Sequence, residues 1–184
     1  QEAGLDGEEN ILSEVEARNL WGNSIERLWF AELPQSVKED LEILLERESQ
    51  KGVIDLVTRV KNLLTFGILE RLNEDKENVA LGNISKYLLD RYERLKKRRG
   101  VLDYDDLERY ALKILSVPRV QRAYQKRFSL ILVDEFQDTN PVQAKIVWLL
   151  AKQDLSNLCV VGDPKQSIYR FRDADLSVFS ESTS

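Results

Sequence analysis

Histidine and methionine are absent from this 184-residue chain, cysteine occurs once and proline four times. Without His and with a single Cys, no zinc site of the Cys/His kind and no His-based general base or nucleophilic triad can be assembled. Catalysis, if there is any, has to use carboxylates, amides, Lys, Arg or hydroxyls. One Cys cannot close an intramolecular disulfide, which excludes a stapled secreted scaffold and leads to the expectation of a reducing, cytoplasmic setting. Cys159, in LCVVG, is expected to be an inert core thiol because its neighbours are apolar. The apolar runs are far shorter than the ~20 residues that span a bilayer, and no basic-then-apolar leader opens the chain, so no membrane partner is expected. The start at Gln1 and the lack of Met lead to the expectation of a piece of a longer polypeptide.

What is present is a foldable balance: 42% hydrophobic and 32% charged residues, far from the composition of disorder. The net charge of −5 conceals a strong asymmetry. Residues 1–50 carry 4 basic and 13 acidic groups, whereas residues 91–128 carry 12 basic and 5 acidic ones. A polyanion partner is therefore plausible through the 91–128 region alone, chiefly at Lys96, Lys97, Arg98 and Arg99.

The first two thirds read as successive helices, with apolar residues recurring at three and four. Ser13 with Glu16, and Ser36 with Glu39, fit the capping box and open helices over 13–31 and 36–50, the second stopped by Gly52. Ile54, Val57, Val60, Leu63 and Leu64 line a third helix. Asn83 is expected to cap a long fourth, striped by Ile84, Tyr87, Leu88, Tyr92 and Leu95 and ending in cations, as the helix dipole favours. Helices over 105–116 and 119–127 follow. Asp103, Asp105 and Asp106 read as helix-starting acids, and Trp21, Trp29 and Trp148 as core or interface residues.

The character changes at FSLILVDEF, where four apolar residues in a row end in two acids, as a buried parallel strand does. A helix opened by Pro141 and a second apolar strand, LCVVGD, complete a βαβ unit. The fold class expected is α/β, mostly helical: a helical subdomain over 1–116 followed by an incomplete parallel-sheet portion over 117–184. Ligands of open α/β sheets bind beyond the carboxyl ends of the strands. Asp134, Glu135 and Asp163 are expected to crowd that edge, where one carboxylate can hold Mg²⁺ and the next can orient or deprotonate water.

VDEFQDTNPVQ and VVGDPKQSIYRFRDAD together resemble motifs II and III of superfamily 1 DNA helicases of the UvrD/RecB type. Within that group GDPKQSIYRFR looks most like the AddA (RexA) subunits of bacterial ATP-dependent helicase-nucleases, and LDYDDLERYAL is similar to a segment these proteins carry before motif II. The resemblance implies a 1B-type helical subdomain, a partial RecA-like P-loop NTPase domain, ATP and Mg²⁺ as cofactors of the parent, single-stranded and duplex DNA as substrates, and an AddB-like partner subunit in double-strand break repair and recombination. It implies that Glu135 is the catalytic base, Asp134 the Mg²⁺ ligand and Gln166 the γ-phosphate sensor. Gln137, Asp138, Asp163 and Arg172 would belong to the nucleotide site, while Tyr169 and Phe171 would stack bases with Arg170 beside them.

Two departures stand out. Asp173 replaces a Gly usual in the family, and no G-x-x-x-x-G-K-[ST] occurs anywhere, so the phosphate cradle is missing from this sequence and no bound nucleotide is expected. An adaptor retaining relic motor motifs is the alternative. A generic carboxylate-dependent phosphohydrolase would have no need of QSIYRFR.

Overall fold

The computed structural model describes residues 10–65 and 75–163. Two compact units divide between Tyr104 and Asp105. The 105–115 helix, counted with the helical part in the sequence, therefore lies in the second unit.

The first unit opens with a short strand β1 (Asn10–Ile11) and helix α1 (Glu14–Phe30). The Ser13 capping box forms as expected: the Glu16 N–H donates to the Ser13 hydroxyl at 3.4 Å, and the Ser13 N–H donates to the Glu16 carboxylate at 2.8 Å. Helix α2 (Gln35–Leu45) departs from expectation at both ends. Pro34, extended at φ −53 and ψ 146, precedes its first turn without a side-chain cap, so Ser36 already lies inside the helix and no box with Glu39 forms. Its last turn closes on Glu46, and Gly52 sits in the first turn of α3 (Gln50–Thr65), where Ser49 accepts the Gly52 N–H at 3.1 Å.

Helix α4 (Lys76–Arg99) begins seven residues before Asn83, which therefore lies mid-helix. The N-cap is Asp75, accepting the Asn78 N–H at 2.8 Å. Gly100 ends α4 in the left-handed conformation (φ 61, ψ 41), which a residue without a Cβ adopts freely. The chain then enters β2 (Val101–Leu102), parallel to β1.

One side of α4 supplies the centre of this unit's core. Ile84, Leu88 and Tyr92 are fully buried and pack with Leu20, Trp21 and Ile25 of α1, Val37 and Leu41 of α2, and Val53 and Val57 of α3. Trp21 meets Tyr92 edge-on at 5.6 Å and donates to Thr58 at 3.3 Å, and Trp29 packs partly against the same cluster.

The second unit contains α5 (Tyr104–Leu115), α6 (Pro118–Arg127), β3 (Ile131–Val133), a 3-10 turn over Phe136–Asp138, α7 (Pro141–Leu150) and β4 (Leu158–Val160). Strands β3 and β4 are parallel, with Leu132 opposite Cys159 and Val133 opposite Val160, so the βαβ unit forms. Asn140 caps α7 through a reciprocal box with Gln143, and both amides donate to Glu108 of α5, at 2.9 and 2.6 Å. Gln125 of α6 donates to the Ala151 carbonyl at 2.8 Å, past the other end of α7. Buried Asn157 fixes the entry to β4, donating to Phe128 and accepting from Lys152.

Burial of the strands is one-sided, unlike the expectation of a fully buried pair. Leu132 is 69% exposed, and Leu130, Cys159 and Val161 on the same face are exposed with it. Cys159 is thus a surface thiol rather than a core one. Neighbouring residues of a strand point to opposite faces, and among the described residues only the face of Ile131, Val133, Leu158 and Val160 is partly covered. None of the described helices is long and apolar enough to cross a membrane.

Candidate nucleotide-site edge

Parallel pairing brings the carboxyl ends of β3 and β4 to one edge. The ladder runs on past both strands: the Val161 N–H donates to the Val133 carbonyl at 2.8 Å and the Phe136 N–H to the Val161 carbonyl at 3.0 Å. Asp134 and Glu135 leave β3 there, and Asp163 leaves β4.

Glu135 is held at φ 51 and ψ 40, the left-handed region, which costs a residue with a Cβ about 1 kcal/mol or more. The turn around it is fully bonded. Its N–H donates to the Asp134 carboxylate at 2.9 Å, and its carbonyl accepts the Asp138 N–H at 2.9 Å. Phe136 anchors the turn from beneath, buried against Trp148 with ring centres 5.8 Å apart.

Gln137 is only 3% exposed, and its amide lies between the two strand ends. The carboxamide nitrogen donates to the Glu135 carboxylate, and the carboxamide oxygen accepts the Asp163 N–H at 2.9 Å. The partners fix this orientation: a backbone N–H can only donate and an ionised carboxylate can only accept. Close approach of β4 depends on Gly162, where a Cβ would lie 2.5 Å from the Gln137 carboxamide oxygen and 3.1 Å from the Phe136 nitrogen. Asp138 follows with one carboxylate oxygen buried and without a hydrogen-bond partner among the described residues.

The carboxylates of Asp134 and Glu135 face solvent. The expected crowding of three acids does not amount to a metal cage, since no group of three or more His, Cys, Asp or Glu among the described residues is arranged to hold an ion. Such a donor set suits a cation that keeps most of its water shell and takes one or two protein carboxylates, which is how Mg²⁺ binds beside phosphates.

The basic run divides. Lys97, Arg98 and Arg99 are exposed on the last turn of α4, but Lys96 is 2% exposed. Its ammonium pairs with Asp103 at 3.1 Å and Glu93 at 3.0 Å and lies over the Tyr92 ring, whose hydroxyl donates to the same Asp103 oxygen at 2.7 Å. Lys96 is therefore withdrawn from the cationic surface, and Asp103 is a buried ion-pair partner rather than an exposed helix-starting acid. Asp106 is likewise buried, bonded to Arg109, while Asp105 stays partly exposed at the start of α5. Gln166, Tyr169, Arg170, Phe171, Arg172 and Asp173 lie outside the described residues. Sequence reasoning missed Glu108 as the tie between α5 and α7 and Gly162 as the seat of Gln137. The Gly-Asp ending of β4 was the only signal for the latter.

A family model described as the UvrD/REP helicase N-terminal domain matches residues 8–184. Proteins named as the AddA subunit of an ATP-dependent helicase/nuclease are similar to this chain. The one from Syntrophomonas wolfei is 37% identical over 151 residues, covering 82% of this chain and 12% of the relative. The one from Listeria monocytogenes serotype 4b is 36% identical over 194 aligned positions, covering 93% of this chain and 16% of the relative. The one from Listeria welshimeri reaches 45% identity over 117 residues, 60% of this chain. The chain thus spans less than a fifth of the length of these relatives.

Proposed function

Since the chain belongs to the UvrD/REP helicase N-terminal domain family, we propose that it forms part of the first motor domain of an AddA-like ATP-dependent DNA helicase-nuclease, whose parent couples ATP hydrolysis to movement on DNA in the cytoplasm during break repair. The observation that carries the proposal is the paired strand edge, where Asp134 and Glu135 leave β3 beside the end of β4 and Gln137 ties the two ends together. Residues 7–104 are assigned to a 1B-type subdomain, and the unit from residue 105 onward to a partial RecA-like domain.

Asp134 would hold Mg²⁺, which supplies charge neutralisation on the phosphates. Glu135 would accept a proton from the water that attacks the γ-phosphorus. Asp138 and Asp163 would shape the floor of the site, and Arg172 would add a cation to it. Gln166 would sense the γ-phosphate and relay it to Tyr169 and Phe171, which stack bases with Arg170 beside them, at ~1–3 kcal/mol per base. Lys97, Arg98 and Arg99 would contact DNA phosphates. An AddB-like partner would complete the parent.

The test is DNA-stimulated ATP turnover and unwinding by the full-length parent beside this chain alone. Turnover by the parent and none by the chain, whose sequence has no phosphate-cradling Gly-Lys loop, is the expected result. A parent without DNA-stimulated ATPase would overturn the proposal.

A further inference from the structure

We propose that Gln137 is a positioning residue that clasps the two strand ends, aiming the Glu135 carboxylate with its amide nitrogen while seating the backbone of Asp163 with its amide oxygen. The inference rests on the assignment of Glu135 as the base, but goes beyond it: Gln137 has no direct role toward nucleotide and acts through both neighbours.

Three observations converge on the clasp. Gln137 is buried, so its amide needs partners that water cannot supply, and it finds one at each strand end. Glu135 has a strained left-handed backbone, which persists only where its surroundings over-determine it. A carboxylate on such a turn, facing solvent, would sample several rotamers unless a fixed donor held it. Gly162 supplies the third observation. A side chain there would strike the amide oxygen itself and press on the Phe136 and Gln137 nitrogens, so the approach of β4 that places the Asp163 N–H requires this glycine. A shift of either strand end must therefore be felt at the other. Glutamine alone among side chains of this length offers a donor and an acceptor at one tip.

The experiment uses the full-length parent and three variants, with steady-state ATPase on single-stranded DNA and hydrogen-deuterium exchange of the peptide covering 158–163. Gln137→Met keeps length but removes both bonds. It should lower kcat by roughly 10- to 100-fold with little change in KM for ATP, as misaimed catalytic groups do, and should speed exchange at Asp163. Gln137→Glu keeps an acceptor for the Asp163 N–H but sets a carboxylate against Glu135, so protection should survive while kcat still falls. Gly162→Ala should reproduce the Met variant through displacement of the amide. Unchanged kcat in the Met and Glu variants, or a rise in KM matching the whole loss, would overturn the clasp. Protection unchanged in the Met variant would overturn its Asp163 half. Failure of the underlying functional assignment reads differently, as a parent with no DNA-stimulated turnover to perturb.

Discussion

The helical unit of residues 10–104 and the sheet unit from residue 105 use buried polar groups in opposite ways. In the helical unit the buried charges close on one another: Lys96, Asp103 and Tyr92 form a sealed cluster inside an apolar core. In the sheet unit the buried amides Gln137, Asn140 and Asn157 each hold a chain end or turn in place, while apolar residues on one face of the strands stay exposed. Polar burial fixes a register in the first case. In the second it fixes an edge where solvent-facing carboxylates can meet a ligand, so a change in either unit should have a different signature.

The contrast breaks most visibly at the ion pair. Asp103→Ala should destabilise the helical unit by about 3–5 kcal/mol, because it leaves the Lys96 ammonium buried without its partner, whereas Asp103→Ala with Lys96→Met should recover most of that loss. Chemical denaturation of the single and double variants checks this, and equal losses would place Lys96 in water.

Next in size is a matched pair of leucines. Leu88→Ala, at a fully buried position, should cost about 2–5 kcal/mol, and Leu132→Ala, 69% exposed, no more than about 0.5 kcal/mol. Similar losses in thermal unfolding would mean that the strand face is covered as the helical core is. Asn140→Ala sharpens the comparison further. It removes both the α7 cap and a bond to Glu108 and should cost roughly 0.5–2 kcal/mol.

Much of this organisation was legible in the sequence. The Ser13 box, the Gly100 stop, the α4 stripe and the parallel strands ending in acids all follow from local patterns, and local patterns decided them. Where the expectations failed, a non-local partner or a neighbouring constraint won. Pro34 started α2 before Ser36 could cap it, and the buried Ala80 and Leu81 carried α4 back past Asn83 to Asp75. Lys96 belongs by sequence to a cationic run, yet the Gly100 turn returns Asp103 to its ammonium, a contact no periodicity encodes. An apolar run cannot state how many of its faces are covered, so Cys159 read as core. At the site the acids could be located from the strand ends, but the double bond of Gln137 depends on two strands meeting, and a single motif does not contain that.

The smallest effect concerns pH. The Ser13 hydroxyl, and then its backbone N–H, hold the Glu16 carboxyl below its ordinary value of 4.5. A carboxyl depressed on folding contributes stability that is present above that value and is lost as pH falls through the lower, folded one. Ser13→Ala should therefore flatten the acid side of the stability profile slightly and bring the Glu16 titration, followed by NMR, back toward 4.5. A Glu16 midpoint that does not move would show that the box forms without holding the charge.

The central claim is that the β3 edge performs chemistry rather than merely ending a strand. Its most direct test is Glu135→Gln in the full-length parent, with ATP affinity and DNA-stimulated turnover measured side by side. The substitution keeps size and hydrogen bonding but removes the proton acceptor. Nucleotide affinity should stay near that of the unmodified parent while turnover falls by about 10²-fold or more. Turnover close to that of the unmodified parent would contradict the assignment of Glu135, and with it the account of the strand edge as the catalytic site.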